Sequence, residues 1–207
     1  MKILLTGFTP FPGVEVNPAQ FVVEQVAEQM QGETVELIAE VLPTAFVAAG
    51  ERIRQLIWEI QPDVVISLGV AAGRDAISLE RFALNVNDAD KPDNNGHTAS
   101  GQSIVENGPA AYRSTLPLEA LYQALIERGI PVKFSNHAGA YVCNHVFYVA
   151  RHTVEQMDVP ALCGFIHIPM HTEAEGQPGA EKGLPLATLV EAVIDCIVVI
   201  SCANPTP

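Results

Sequence analysis

The chain has 207 residues, 48% of them hydrophobic, with 24 acidic against 11 basic side chains and a formal net charge of -13. That length supports one substantial core, and no linker-like or low-complexity stretch divides it, so a single domain over residues 1–207 is expected. The negative charge repels phosphate backbones and anionic lipid, and no uninterrupted apolar run approaches the roughly 20 residues of a membrane span, so neither nucleic acid nor membrane is an expected partner.

Lys2 to Thr6 reads as a buried strand running into the Gly/Pro-rich loop from Gly7 to Gly13. Its short apolar run lacks the form of a secretory signal, and a cytoplasmic location is expected. Asn17-Pro18 marks a helix start, with Asn17 as cap and Pro18 in the first turn, followed by Phe21, Val22, Val26 and Met30 at helical spacing. A strand is predicted near Thr34 to Val41, a helix from about Thr44 to Ile60, and a short branched strand over Asp63 to Leu68. Ala76 to Val86 reads as extended. Asn87 to Pro109 is polar and too long for an ordinary connection, which suggests a functional loop. Helix over Leu116 to Arg128, strand over Pro131 to Phe134, helix over Val142 to Met157, strand over Ala161 to Ile168 and helix over Leu184 to Ile200 complete the order. The alternation predicts an α/β fold, a three-layer α/β/α single domain with a largely parallel twisted sheet and helices on both faces. Ligands of such sheets gather at strand carboxyl ends, where Gly69, Ser135 and His167 are expected.

Four cysteines, Cys143, Cys163, Cys196 and Cys202, lack the paired spacings of a zinc site and are expected as free thiols. Cys143 stands out because it follows a glycine-containing turn and opens an apolar helical run. A helix N-terminus stabilises a thiolate, so its pKa is expected below the free value of about 8.5. His145 lies too close along the helix to share a face with Cys143, and a metal site formed by His145 with His152 is a weak alternative. His167 sits in the apolar segment Phe165-Ile166-His167-Ile168-Pro169 and needs a hydrogen-bond partner. Glu80 poses the same problem in acidic form, since alternation places it on a face with Phe82 and Leu84. Arg74 or Arg81 is one candidate partner; His167 is another, and the second choice answers both burials. With Cys143, the set contains the nucleophile, base and orienting carboxylate of a thiol acyl-transfer enzyme. Phe8 and Phe11, on the proline-stiffened first loop, either wall a small apolar pocket or anchor the loop. Gly69 to Arg74 lacks the spacing of a nucleotide-binding loop.

Taken together, the segments Thr6-Gly7-Phe8-Thr9-Pro10-Phe11 with Asn17-Pro18, Gly73-Arg74 through Glu80-Arg81, Pro92-Asp93-Asn94, Tyr141-Val142-Cys143-Asn144-His145 and Phe165 to Pro169 resemble the pyroglutamyl peptidase I family of cysteine peptidases. The resemblance implies Cys143 as nucleophile, His167 as base and acid, Glu80 as the residue orienting His167, and a substrate pocket formed by Phe8, Phe11, Val70, Tyr141 and Val142. It implies hydrolysis of N-terminal pyroglutamyl residues from small peptides, no metal or organic cofactor, and a homo-oligomer. An amidase for another small cyclic acyl group, or a non-catalytic binding homologue, are the alternatives. They are motivated by Val70 where many members carry Gln and Asp90 where many carry Arg, with Ala140 a third departure where Thr is frequent.

Overall fold

The computed structural model describes residues 1–32, 35–157, 161–174 and 176–203. In chain order it forms β1 (Lys2–Phe8), α1 (Pro18–Gln29), β2 (Glu36–Leu42), α2 (Phe46–Ile60), β3 (Val64–Val70), β4 (Ile77–Leu84), β5 (Ala111–Arg113), α3 (Leu118–Glu127), β6 (Val132–His137), α4 (Val142–Glu155), β7 (Leu162–Ile168) and α5 (Leu186–Ala203). Most elements fall within a few residues of expectation. The predicted second strand begins at Thr34, which lies outside the described residues. β5 was not anticipated.

The sheet runs β2-β1-β3-β7-β4-β5, with β6 also paired to β4. β1, β2, β3 and β7 are mutually parallel, whereas β4 enters antiparallel to β7 and carries β6 parallel to itself. β6 therefore runs against β7, and Ser135 does not join Gly69 and His167 at a common carboxyl edge. It sits beside Glu80 in register instead.

Two apolar layers hold the sheet. One packs α1, α3 and α5 through Val22, Val26, Leu121, Leu125, Val193 and Ile197; the other packs α2 and α4 through Phe46, Ile53, Val146 and Phe147. The caps explain the local starts. Asn17 accepts from the Ala19 backbone N–H, and Pro18 occupies the first turn of α1. Asp93, from the long polar loop, accepts from Phe46 N and thereby caps α2, while its other oxygen accepts from Asn95 and His97. Asn94 reaches across to the Pro10 carbonyl. Residues 87–109 are thus tied to both the first loop and α2 and act as a buttress for that end of the molecule. α5 has the length and composition to cross a membrane. Here it carries Glu191 and Asp195, bonds Arg128 just past the end of α3 through Asp195, and buries one face in the core.

Candidate active site

The site grows out of strand register. In β7, His167 stands opposite Gly69 of β3 on one side and Ser78 of β4 on the other; Glu80, two residues beyond Ser78, stands opposite Phe165. Opposed residues share a sheet face, so His167 and Glu80 are diagonal neighbours within side-chain reach. His167 Nδ1 and Glu80 Oε1 are 2.7 Å apart. Glu80 is wholly buried and His167 nearly so. The alternation argument placed Glu80 on a face with Phe82 and Leu84, but Phe82 is exposed and Leu84 only half-buried. Glu80 owes its burial to its central position between β6 and β7 and to Phe165 across the ladder.

Both partners considered for Glu80 are present. Arg74 Nη1 reaches the same Oε1 at 2.7 Å, while Arg81 bonds Asn136 and lies over the Phe134 ring. Burial pushes the Glu80 carboxyl up, but hydrogen bonding and charge from His167, with Ser135 and Arg74 adding to them, outweigh burial and hold it below the ordinary carboxylate range.

Cys143 enters this face from α4. Asn144, fully buried, clamps the first turn of α4 to the end of β4: its Oδ1 accepts from Leu84 N, and its Nδ2 donates to the carbonyls of Leu84 and Val86. The thiol is thereby delivered over Gly69, where an added Cβ would lie 2.9 Å from Cys143 Sγ and 2.8 Å from the Phe165 ring. Glycine is needed here for close approach rather than for an unusual turn. Tyr141, the N-cap of α4, makes no side-chain cap bond, so its side chain leaves the first-turn N–H groups next to Cys143 uncapped.

The expectation of a depressed thiol pKa is corrected. Burial, and then the charge of Glu80, push the Cys143 thiol up to about 12, against weaker opposing pulls from its own backbone N–H and from Arg74. The helix end is present, but desolvation outweighs it. His145 stays apart, as its position on α4 implied: it contacts Asn87 and packs edge-on to Phe46, and burial together with Arg54 lowers its pKa to about 4. His152 bonds Tyr112 and Gln156 instead of meeting His145, and no cluster suited to a metal ion occurs among the described residues.

Cys143, His167 and Arg74 line a cavity of about 250 Å³. Phe8, Phe11, Val70 and Tyr141 line it as anticipated. Phe8 does so while also anchoring the loop, since it is buried with its ring 6.3 Å from that of Phe165. Val142 does not line the cavity; it is fully buried in the core under the first turn of α4. Asn17, Thr44, Ala71, Ala138 and Gly139 complete the wall without having been singled out as pocket residues. Their neighbourhood was flagged only indirectly, by the helix-start signals at Asn17 and Thr44, the glycine-containing turn before Cys143 and the Gly69 to Arg74 segment. Asp90 is exposed and lies outside this cavity, in an outer groove with Lys91 and Pro92 that borders Phe11 and Tyr141. The departure at Asp90 is therefore not a change in the wall around Cys143.

The arrangement offers a thiol, an imidazole braced by a buried carboxylate, open helix N–H groups and an apolar chamber, which are the parts needed to transfer an acyl group. The family model for pyroglutamyl peptidases matches residues 1–203. The chain is 45% identical to the pyrrolidone-carboxylate peptidase of Oceanobacillus iheyensis over 81% of its own length and 83% of the relative's, and 42% identical to that of Thermococcus onnurineus over 93% and 94%. Among solved structures it resembles pyrrolidone carboxyl peptidase from Pyrococcus furiosus, with a TM-score of 0.91, 37% identity and coverage of 98% and 99% of the two chains. It also resembles pyroglutamyl peptidase I from Bacillus amyloliquefaciens, with a TM-score of 0.88, 35% identity and coverage of 98% and 97%. Strand register, cavity and sequence kinship converge: the chain belongs to the pyroglutamyl peptidase family of cysteine peptidases, hydrolases of peptide bonds.

Proposed function

We propose that this hydrolase removes N-terminal pyroglutamyl residues from small peptides, with Cys143 as nucleophile, His167 as general base and acid, and Glu80 as the residue that orients His167. The observation that carries the reading is the 2.7 Å contact between His167 Nδ1 and the wholly buried Glu80, beside the chamber that also holds Cys143. With Nδ1–H donating to the carboxylate, Nε2 is left as the proton acceptor.

In the first step, attack by the thiol and loss of its proton go together. Sγ bonds to the scissile carbonyl carbon as its proton passes to His167 Nε2, and the carbonyl electrons move onto oxygen, facing the open N–H groups of the first turn of α4. The imidazolium, stabilised by Glu80, then gives the proton to the leaving nitrogen as the C–N bond breaks, leaving a thioester. Water attacks the thioester while His167 takes its proton; the C–S bond then breaks, the free pyroglutamic acid leaves, and the imidazolium returns the proton to Sγ.

The lactam nitrogen of pyroglutamate carries no charge, which suits a chamber walled by Phe8, Phe11, Val70 and Tyr141. A prolyl group presents a cationic amine that this wall does not pair. Pyroglutamyl amides are expected to be hydrolysed at least roughly 100-fold faster than prolyl amides, measured as kcat/KM. Faster prolyl turnover would transfer the assignment to another cyclic acyl group.

A second expectation follows from Gly69. In Gly69→Ala the new methyl group meets Cys143 Sγ and the Phe165 ring at under 3 Å, and displacement of the nucleophile is expected to lower kcat by about 100-fold. Steady-state kinetics with a melting curve on the same sample check this; wild-type turnover would show that the sulfur need not lie over residue 69.

A further inference from the structure

Resting on the proposed mechanism, we infer that Arg74 is a positioning residue for this hydrolase: it pins the Glu80 carboxylate from the cavity side and so fixes the orientation of His167. Glu80 Oε1 receives both contacts, from His167 Nδ1 and from Arg74 Nη1, each at 2.7 Å, whereas the buried Oε2 meets no partner at hydrogen-bond distance among the described residues, the nearby Ser135 hydroxyl being turned to His137 O at 3.3 Å. A carboxylate held through one oxygen by a single imidazole is free to turn about its own bond and offer either oxygen. Adding a planar guanidinium on that same oxygen removes the freedom.

Arg74 is itself fixed. Its backbone N–H donates to Ala71 O, and Ala71 N donates to Ile168 O, the residue next to His167. The clamp and the imidazole it steadies therefore share one anchor at the end of β7. The Arg74 side chain is 28% exposed and lines the chamber. Filling that chamber with an uncharged acyl group strips water from the guanidinium and strengthens its attraction to Glu80. Substrate entry thus tightens the brace just when His167 must receive a proton. The titratable groups around this pair are His167 against Glu80 and Cys143 facing Arg74 and Glu80 from α4, with the neutral Ser135 hydroxyl beside Glu80 on β6.

The test is kinetic. Arg74→Met is expected to lower kcat roughly 10- to 100-fold with KM nearly unchanged, and to move the acid limb of the pH profile upward. The sign follows from Glu80: it must be ionised, and loss of a group that favours ionisation lets it take up a proton at higher pH. Arg74→Lys, which keeps the charge but not the fork, is expected to recover part of kcat and the original limb. In a Glu80→Gln background, Arg74→Met should have almost no further effect, because its target is gone.

A raised KM with unchanged pH profile would make Arg74 a substrate-binding residue and overturn the inference, as would full additivity with Glu80→Gln. If Arg74→Met does not fold, the same KM and pH readings on Arg74→Lys decide. Alkylation of Cys143 by iodoacetamide at about pH 9 needs no substrate and separates this idea from the proposed specificity: loss of Arg74 should slow it several-fold, and by clearly less in a Glu80→Gln background, where only the direct pull of Arg74 on the thiol remains. An unchanged rate counts against the inference even if pyroglutamyl amides prove to be poor substrates.

Discussion

Replacing Cys143 by alanine is expected to abolish turnover of pyroglutamyl amides, a loss on the order of 10⁵-fold or more in kcat, while the protein keeps its fold. The effect is large because Cys143 is the sulfur placed over Gly69 in the chamber with His167. The other thiols cannot substitute: Cys163 and Cys196 are buried in the two core layers and do not line the cavity, and Cys202 is exposed on the last turn of α5. Removing one sulfur from a half-buried side chain deletes little packing, so a melting temperature within a few degrees of wild type is expected. Binding of an uncleaved pyroglutamyl peptide by the alanine variant, followed calorimetrically, distinguishes lost chemistry from a lost site. Turnover above about 1% of wild type would remove Cys143 from the nucleophile's role.

The second large effect is expected at Glu80. Glu80→Gln keeps shape and burial but exchanges a carboxylate for an amide, which cannot stabilise an imidazolium as a negative charge does and offers either an oxygen or an NH₂ to Nδ1. A fall in kcat of about 10³-fold is expected, with KM little altered, since the mutated group lies behind His167. The sign with pH is also set. The Glu80 carboxyl is held low, so wild-type activity that depends on its ionised form is fully present above the ordinary carboxylate range and is lost as pH falls through the depressed value. The glutamine variant has no such group to protonate, and the Glu80 contribution to its acid limb should vanish. A wild-type rate in Glu80→Gln would show that His167 is oriented by something else.

How far such a site can be read from sequence depends on the range of the causes. The cap at Asn17 and the first-turn Pro18 act within a few residues, so the start of α1 was legible. β5 was not, because Ala111 to Arg113 form a strand only through pairing with Phe82 to Leu84, and nothing in three residues announces that partner. Strand direction is equally non-local: apolar runs are alike whether β4 lies parallel or antiparallel to β7, and the misplacement of Ser135 followed from that. Glu80 and His167 could be matched since each posed the same burial problem. Arg74 had been weighed as a rival to His167, but one carboxylate oxygen serves both. Cys143 shows the reverse failure. The helix start was read correctly from local residues, yet the thiol's proton affinity is governed by desolvation and by Glu80, both products of the assembled tertiary structure.

The position of β7 has a further consequence for the order of events during synthesis. The strand that carries His167 comes late in the chain, yet it fills the middle of the sheet, pairing Val64 with Leu162 on one side and Ser78 with His167 on the other. Long-range pairings of this kind form slowly and late. A chain emerging from the ribosome that has exposed Cys143 but not residues 162–168 has a thiol without the His167 imidazole, a Glu80 with Arg74 but not His167 to pair it, and an open seam between β3 and β4. Completing the sheet and assembling the proposed site are therefore the same event, and under the proposed mechanism a truncated chain is left without a working site rather than with a partial one.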